Sequence, residues 1–479
     1  MDYSFYIASQ TSPQLTTLTF ETISGGQSLQ SHKLFPLDNS YTSFFEMAAI
    51  DGRNCSELCS LSLSCKNYVF GANFLFQGNP TFSVVAFFAG LTFNQSFAMY
   101  PTCTDDMMCK ATSRAHYHYY ILFGPVYGKD NSVLLDGVTI QMHQKTEITL
   151  QLSGEALALN NTKEESQFMP KNNSNVYTTL WIEPKVSLCE RVIPRSLEGT
   201  TIVSNKPITV FTNRAKCNTS NQFSYDSQVV HQMPEVNEWG KTFIIDAKQI
   251  NIMPQSVRNN LEYEIAIRAS QNGTTVNTTY YQFNQQPHFN TTALMKGNVH
   301  RTVRSMDSMF SVSHISIVAN SPVLVLYSIY SQDEITPNNV IYYSVLLQPV
   351  EWFSNKQIIA LQHPTHDEVY QYHISVVVPE VHYNPKDIHI AKGKDLCRSV
   401  SLLEYKGFIG STDQSNGYVV VYMELSMTGG MDNETQLLLW HRNPGAHMGV
   451  TVFAYASDLQ YAYSNGYTVG KLILNTELK

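Results

Sequence analysis

The 479-residue chain is short of charge: only 15% of it is Asp, Glu, Lys or Arg, against about 25% in an ordinary soluble domain. Its surface is therefore dressed largely by Ser, Thr, Asn, Gln and Tyr. There is no basic run, and the formal charge is −8. Nucleic-acid and anionic-membrane partners are excluded on that ground, because both rest on clustered Lys and Arg. No apolar stretch approaches the ~20 residues of a membrane-spanning helix, so no membrane insertion is expected. Met1-Asp-Tyr-Ser-Phe-Tyr6 has neither the basic nor the apolar part of a secretory leader. The end, Lys471 to Lys479, is too short and too charged for a lipid-anchor signal. Also missing are a nucleophile elbow, a phosphate-binding Gly loop, an HExxH zinc motif and an EF-hand loop. Disorder is excluded as well, since 24 Phe and 28 Tyr supply ample core.

What is present is a two-residue rhythm. Val138-Thr-Ile-Gln-Met142, Ile148-Thr-Leu-Gln-Leu152, Ile315-Ser-Ile-Val318 and Val450-Thr-Val-Phe453 alternate as half-buried strands do. Val323-Leu-Val-Leu-Tyr327, Ile374-Ser-Val-Val-Val378 and Val419-Val-Val-Tyr422 are apolar on both faces and predict central strands. Asp136-Gly137, Asn272-Gly273, Asn416-Gly417 and Asn465-Gly466 predict turns. No segment sustains a 3.6-residue stripe. The fold class is all-β.

Beneath this lies a repeat. Asn79-Pro80, Asn205-Lys-Pro207, Asn320-Ser-Pro322 and Asn443-Pro444 each stand between strand-like segments, and their Asn positions differ by 126, 115 and 123. Pro fits strand starts and turns, so each copy predicts strand–turn–strand. Pro234 and Pro349 each follow 29 residues after Asn205 and Asn320. Each opens a segment ending in Trp239 or Trp352, followed by Phe243-Ile-Ile245 or Ile358-Ile359. A period of about 115–125 residues is too long for a solenoid unit and suits a β-sandwich. The expected architecture is four tandem β-sandwich-like modules: an incomplete first at 1–100, then 101–232, 233–347 and 348–479. A large β-propeller with two blades per repeat is the alternative. Sheet edges are a liability, so tight packing between modules is expected.

Eight cysteines, Cys55, Cys59, Cys65, Cys103, Cys109, Cys189, Cys217 and Cys397, are even in number and partly clustered, as in a disulfide set from an oxidising compartment. Free core thiols are the alternative. A zinc site from Cys55, Cys59 and Cys65 lacks a CxxC or paired-His half-site. Nine glycosylation sequons begin at Asn54, Asn94, Asn160, Asn172, Asn218, Asn272, Asn277, Asn290 and Asn433, against roughly six expected by chance. Extracellular or secreted residence is the expectation, with the natural N-terminus lying upstream of Met1.

Candidate chemistry is thin. His363, His366, Asp367 and Glu368 gather ligand types, but Pro364 prevents a helix from aligning the histidines, and a solvated loop is expected. His116 and His118 share a strand face without a third ligand. Asp413 to Gly417 has the look of a calcium loop but is better read as a hairpin turn. Glu164, Glu165 and Glu183 could serve glycoside hydrolysis only at a defined separation, which nothing else supports. No catalytic, metal or cofactor site is expected. Trp239, Trp352 and Trp440 recur beside repeat elements, which predicts packing at module junctions over exposed partner contacts.

Gly199-Thr-Thr-Ile-Val-Ser-Asn-Lys-Pro-Ile-Thr-Val-Phe211, then Cys217, then Val229 through Trp239-Gly-Lys-Thr-Phe243, resembles the IgGFc-binding protein N-terminal domain family. His441-Arg-Asn-Pro-Gly445, Gly449 to Tyr455 and Tyr463-Ser-Asn-Gly-Tyr467 look like the end of that domain. The resemblance spans about residues 60 to 470. The family pattern has a second Cys where this chain has Tyr225-Asp226; Cys217 then pairs elsewhere, with Cys189 as one option, or stays free. The von Willebrand type D modules that follow this domain in the family's large mucus protein are not in this sequence. The resemblance implies a secreted, non-enzymatic module that binds protein or glycoprotein partners in mucus or matrix. Immunoglobulin Fc binding is not carried over, because no binding motif can be matched residue by residue. A secreted lectin or a glycosidase on a β scaffold is the alternative.

Overall fold

The computed structural model describes 31 β-strands. It gives side chains chiefly for residues 116–125, 146–151, 197–206, 231–282, 286–305, 311–330, 343–361, 369–391 and 399–456, with short breaks and isolated positions between them. Among the described residues the only α-helix is the single turn Gln255–Arg258. The protein is all-β, and its strands fall into four consecutive sets that pair only within themselves.

The first set is β1 (Asp2–Ser9), β2 (Thr17–Ser24), β3 (Gln27–Leu34), β4 (Thr42–Met47), β5 (Val69–Leu75), β6 (Phe82–Ala89) and β7 (Asn94–Met99). Its sheets run β4-β1-β6-β7 and β3-β2-β5. The second is β8 (Tyr117–Tyr120), β9 (Val133–Met142), β10 (Ile148–Gln151), β11 (Glu165–Phe168), β12 (Thr178–Ile182), β13 (Thr201–Ser204), β14 (Ile208–Cys217) and β15 (Phe223–Met233). These form β11-β10-β13-β8 and β12-β9-β14-β15.

The third set is β16 (Gly240–Asp246), β17 (Leu261–Ala269), β18 (Thr274–Gln282), β19 (His288–Leu294), β20 (Val299–Ser305), β21 (Val312–Ser331) and β22 (Tyr342–Leu346). It is one sheet, β19-β18-β21-β17-β20, with β16 and β22 also on β21. The fourth is β23 (Lys356–Ala360), β24 (Val369–Pro379), β25 (Ile388–Lys392), β26 (Val400–Ser401), β27 (Phe408–Ser411), β28 (Tyr418–Thr428), β29 (Gln436–His441), β30 (Gly449–Tyr455) and β31 (Gln460–Ser464). Its sheets are β23-β29-β25-β26 and β27-β28-β24-β30-β31. Every ladder is antiparallel, so alternate residues turn inward and outward.

Three of the four Asn-Pro elements stand between a strand of one sheet and a strand of another, the passage that closes a sandwich. The first lies between β5 and β6, the second between β13 and β14, and the fourth between β29 and β30; in each pair the two strands belong to different sheets. In the third set Asn320-Ser-Pro322 lies within β21, which continues through it. Strand–turn–strand is thus corrected here to a continuous strand. Residues 312–319 pair with β16 and β18, and 323–331 pair with β17 and β22, so the single sheet folds over on itself. Asn205 and Asn320 do the same work. The Asn205 Oδ1 accepts the Glu147 N–H at 2.9 Å just before β10, and the Asn320 Oδ1 accepts the Thr275 N–H at 2.9 Å in β18.

Asp136-Gly137 is not a turn. Both lie inside the ten-residue β9, opposite Arg214 and Asn213 of β14, because the long ladder with β14 outweighs the local preference of Gly. Asn465-Gly466 lies outside the described residues. Gly273 and Gly417 do adopt left-handed φ of 72° and 76°, as Asn-Gly turns require.

The cores sit where the alternation places them. In the fourth set, Ile388, Ile390, Leu437 and Leu439 from one sheet face Ile374, Val376, Val421 and Val452 from the other, all buried. This is a sandwich core, not a propeller blade. In the third set, Phe243, Ile265, Ile267, Ile315, Ile317, Val325 and Val345 turn to one interior. Val323 to Tyr327 and Ile374 to Val378 are buried on both faces, as central strands.

Candidate functional site

Two seams hold the second, third and fourth sets together. At the first, Trp239 is 5% exposed. Its Nε1 donates to the Pro234 carbonyl at 3.2 Å, and its ring lies 5.7 Å from that of Tyr120 in β8. The guanidinium of Arg268 in β17 lies 4.9 Å over the other ring of that pair, Tyr120, and donates to the Ile121 carbonyl. Burial pulls its pKa down to about 10, so it stays charged at neutral pH. Beside it Arg301 of β20 pairs with Glu264 and Glu198 and donates to the Phe123 carbonyl at 3.0 Å. His231 at the end of β15 is buried and meets the Ser344 Oγ of β22 at 2.9 Å. Burial without a counter-charge lowers its pKa to about 3, so it is neutral.

At the second seam, the Trp239-Gly-Lys-Thr-Phe243 segment meets the equivalent segment of the next module. Gly240 leaves its Cα against Pro349, where a Cβ would overlap the proline ring. The next residue, Lys241, donates its N–H to Glu351 Oε1 at 2.9 Å. Pro234 and Pro349 thus each introduce a 3-10 turn, Val236–Glu238 and Val350–Trp352, before the following strand. Ile244, Phe353, Val377 and Val420 pack the joint. The Tyr343 hydroxyl reaches across to the Ala454 carbonyl at 2.9 Å, and Phe453 and Ala462 enter the third set's core.

Within this joint lies a buried polar group. His373 Nε2 of β24 meets Asp246 Oδ2 of β16 at 2.6 Å, with side-chain exposures of 0% and 1%. Glu424 Oε1 of β28 stands 3.7 Å from Nδ1, an electrostatic neighbour rather than a hydrogen bond. Tyr422 stacks on the imidazole at 6.1 Å. Burial pulls the His373 pKa down, but Asp246 and Glu424 outweigh it and raise it to about 9. The imidazolium form is therefore the resident one at neutral pH. Asp246 Oδ1 also accepts the Lys248 N–H at 2.8 Å, which fixes the carboxylate. The chemistry of this arrangement is that of a polar latch between modules.

The residues singled out from sequence fall differently. Trp239 is a junction residue, while Trp352 and Trp440 are half-buried, the latter stacked on His389 at 5.4 Å. Cys217 ends β14, and its side chain lies outside the described residues, as do Cys55, Cys59, Cys65, Cys103, Cys109, Cys189 and Cys397. His363, His366, Asp367, Glu368, Glu164, Glu183 and Asp413 lie outside them too, and Glu165 is placed only as backbone in β11. Of the sequons, Asn272, Asn277 and Asn290 are described, Asn94 is placed only as backbone at the start of β7, and Asn54, Asn160, Asn172, Asn218 and Asn433 are not described. His118 stands in β8, where burial and then the positive charge of Lys296 lower its pKa. Among the described residues no group of three His, Cys, Asp or Glu is placed to hold a metal ion, and no helix is long and apolar enough to cross a membrane.

Sequence patterning missed three exposed apolar side chains close together in the chain of the fourth set. Val400 in β26, Leu403 in the turn Leu402–Glu404 and Ile409 in β27 are 37%, 50% and 55% exposed. They lie on three successive short elements, whose length gives the two-residue rhythm too few steps to show which side faces out.

No curated protein matches this chain. Among solved structures, trypsin-activated alpha-2-macroglobulin from Escherichia coli aligns at 9% identity and a TM-score of 0.12, covering 96% of this chain and 39% of that one. The elastase-activated form aligns at 8% identity and a TM-score of 0.12, covering 98% of this chain and 43% of that one. The chain thus spans well under half the length of either. The family model described as IgGFc binding protein matches residues 105–429. This span covers most of the second, third and fourth sets, including the first seam and the Gly240–Pro349 and His373–Asp246 parts of the second, and ends before the closing segment from His441. The chain belongs to the IgGFc-binding protein family.

Proposed function

We propose that this chain is a secreted interaction module that binds protein or glycoprotein partners in mucus or extracellular matrix, and that it acts by binding rather than catalysis. Membership of the IgGFc-binding family over residues 105–429 carries this reading. The seams support it, because modules locked by Trp239, Gly240 and the His373–Asp246 pair present a surface of fixed shape, which lowers the ordering cost of association. Leu403 and Ile409 supply exposed apolar contact on that surface, the kind that becomes an interface centre once covered.

The test is capture of partners from mucus or matrix extract by immobilised chain, expressed behind an added leader in a secretory host. Leu403→Asp and Ile409→Asp should abolish capture while leaving the melting temperature unchanged. Saturable binding of free glycans with no captured protein would replace this reading by the lectin alternative. Turnover of a glycoside substrate would end the non-catalytic part.

A further inference from the structure

Among the described residues the third module's sheet ends in β20, which pairs with β17 and is tied to the second set through Arg301, and in β19, which pairs only with β18 and is largely exposed. An exposed edge offers unpaired N–H and C=O groups to any passing strand, and proteins blunt it with Lys, Pro, bulges or shortness. β19 has none of these. Its seven residues, His288-Phe-Asn-Thr-Thr-Ala-Leu294, carry no Lys, Pro, Asp or Glu, and its register with β18 is unbroken. Phe289 on it is 68% exposed. As bare polypeptide this strand is an aggregation site.

All three sequons whose Asn side chains are described lie on this one hairpin. Asn272 begins its approach, Asn277 is in β18 opposite Thr291, and Asn290 is in β19 opposite Thr278. The two pairs are adjacent rungs, so Asn277 and Asn290 project from opposite faces. Phe289 shares the face of Asn277, one diagonal step away, within reach of its substituent. Asn272 accepts the Lys296 N–H and Asn277 accepts the Thr291 hydroxyl, both at 2.9 Å and both through the amide oxygen. The amide nitrogen, the atom that carries an N-linked sugar, is left out of these bonds. Thr274 and Thr279, the hydroxyl residues of two sequons, are buried, and Thr274 donates to the Gln271 carbonyl at 2.7 Å. Modification therefore belongs to the unfolded nascent chain.

We infer that Asn272, Asn277 and Asn290 carry N-linked oligosaccharides that straddle the β18–β19 edge and close it to strand addition. The inference rests on the secretory reading above, since the donor is a lipid-diphosphate-linked oligosaccharide met in a secretory lumen. The Asn amide nitrogen bonds to the anomeric carbon, the bond from that carbon to the diphosphate oxygen breaks, the lipid diphosphate departs and the amide loses one proton to solvent. Bulk hydrated sugar on both faces then does what Lys or Pro does elsewhere.

The experiment uses the full chain secreted behind an added leader. Trypsin releases Ala269 to Lys296 as one peptide, with no internal Lys or Arg and all three Asn. Mass spectrometry before and after peptide N-glycanase, which leaves Asp at each modified Asn, should show sugar on Asn272, Asn277 and Asn290. Size exclusion of the enzyme-trimmed folded protein should then show loss of the monomer peak. Thr292→Ala, which destroys the Asn290 sequon without touching that Asn, should shift the protein toward association with circular dichroism unchanged. A bare Ala269–Lys296 peptide in a secreted protein whose Asn54, Asn94 or Asn433 is modified overturns the inference and leaves the secretory reading standing. Full modification with an unchanged monomer peak after trimming overturns the shielding role. A chain retained in the cell with no Asn modified sinks both.

Discussion

His373 and Asp246 are 127 positions apart in sequence, yet Nε2 and Oδ2 meet at 2.6 Å with neither side chain reaching solvent. Removing one partner leaves the other buried without its hydrogen-bonded counter-charge, which costs about 3–5 kcal/mol. His373→Leu and Asp246→Leu should each lose that much in chemical denaturation. The double variant should lose clearly less than the sum, with a coupling of about 1–3 kcal/mol. Strict additivity would show that the pair does not latch the seam.

Acid and alkali should attack different seams. His373 has a folded pKa raised from 6.5 to about 9, so its stabilisation is full below about pH 6.5 and is lost as pH rises through 9. His231 is lowered from 6.5 to about 3. Its unfolded form takes up the proton first, so stability falls as pH drops from 6.5 toward 3, by at most about 1.4 kcal/mol per pH unit. Denaturation midpoints across pH 4 to 10 should form a dome (a range set by these pKa values). His231→Gln should flatten its acid limb and leave the alkaline limb alone; an unchanged acid limb would refute the assignment.

Gly240 is required by its neighbour rather than by its backbone angle. An added Cβ would overlap Pro349, just as one at Gly449 would overlap the Phe353 ring. Gly240→Ala and Gly449→Ala should each cost about 1–3 kcal/mol by forcing the packed ring aside. Calorimetry that finds either variant as stable as the parent would show that the joint yields freely.

Asn205 and Asn320 make the same bond at equivalent corners, each accepting a backbone N–H at 2.9 Å. Asn205→Ala and Asn320→Ala should cost similar amounts, about 0.5–1.5 kcal/mol each for these partly exposed bonds. A large inequality in urea titrations would mean that the corners are alike in sequence only.

Much of this was legible because it is periodic or local. Alternation exposed strands such as β30, and the two-faced apolar runs at Val323 and Ile374 exposed central ones, since burial on one or both faces writes itself every second residue. The Asn-Pro elements marked passages between sheets at Asn205 and Asn443, and the shared offset to Pro234 and Pro349 marked the 3-10 turns that precede β16 and β23. Local preference misled at Asp136-Gly137, where the ladder with β14 overrides a Gly, and at Asn320-Ser-Pro322, where the strand runs on through the Pro. The latch was illegible for another reason. A lone His in an apolar strand carries no sign of a carboxylate from another module, and Asp246 reads as an ordinary strand end. Trp239 was legible as a junction residue only through its recurrence beside the repeat.

The bend in β21 has a mechanical consequence. The chain enters the third module at Gly240, opposite Val323, and leaves it after Leu346, opposite Leu326. Entry and exit thus sit side by side at the corner of one twenty-residue strand. Tension on the two ends draws β16 and β22 lengthwise along the two halves of β21. Each ladder is then loaded in shear, with its hydrogen bonds sharing the force instead of parting one after another. A module tethered this way resists stretching until both ladders yield.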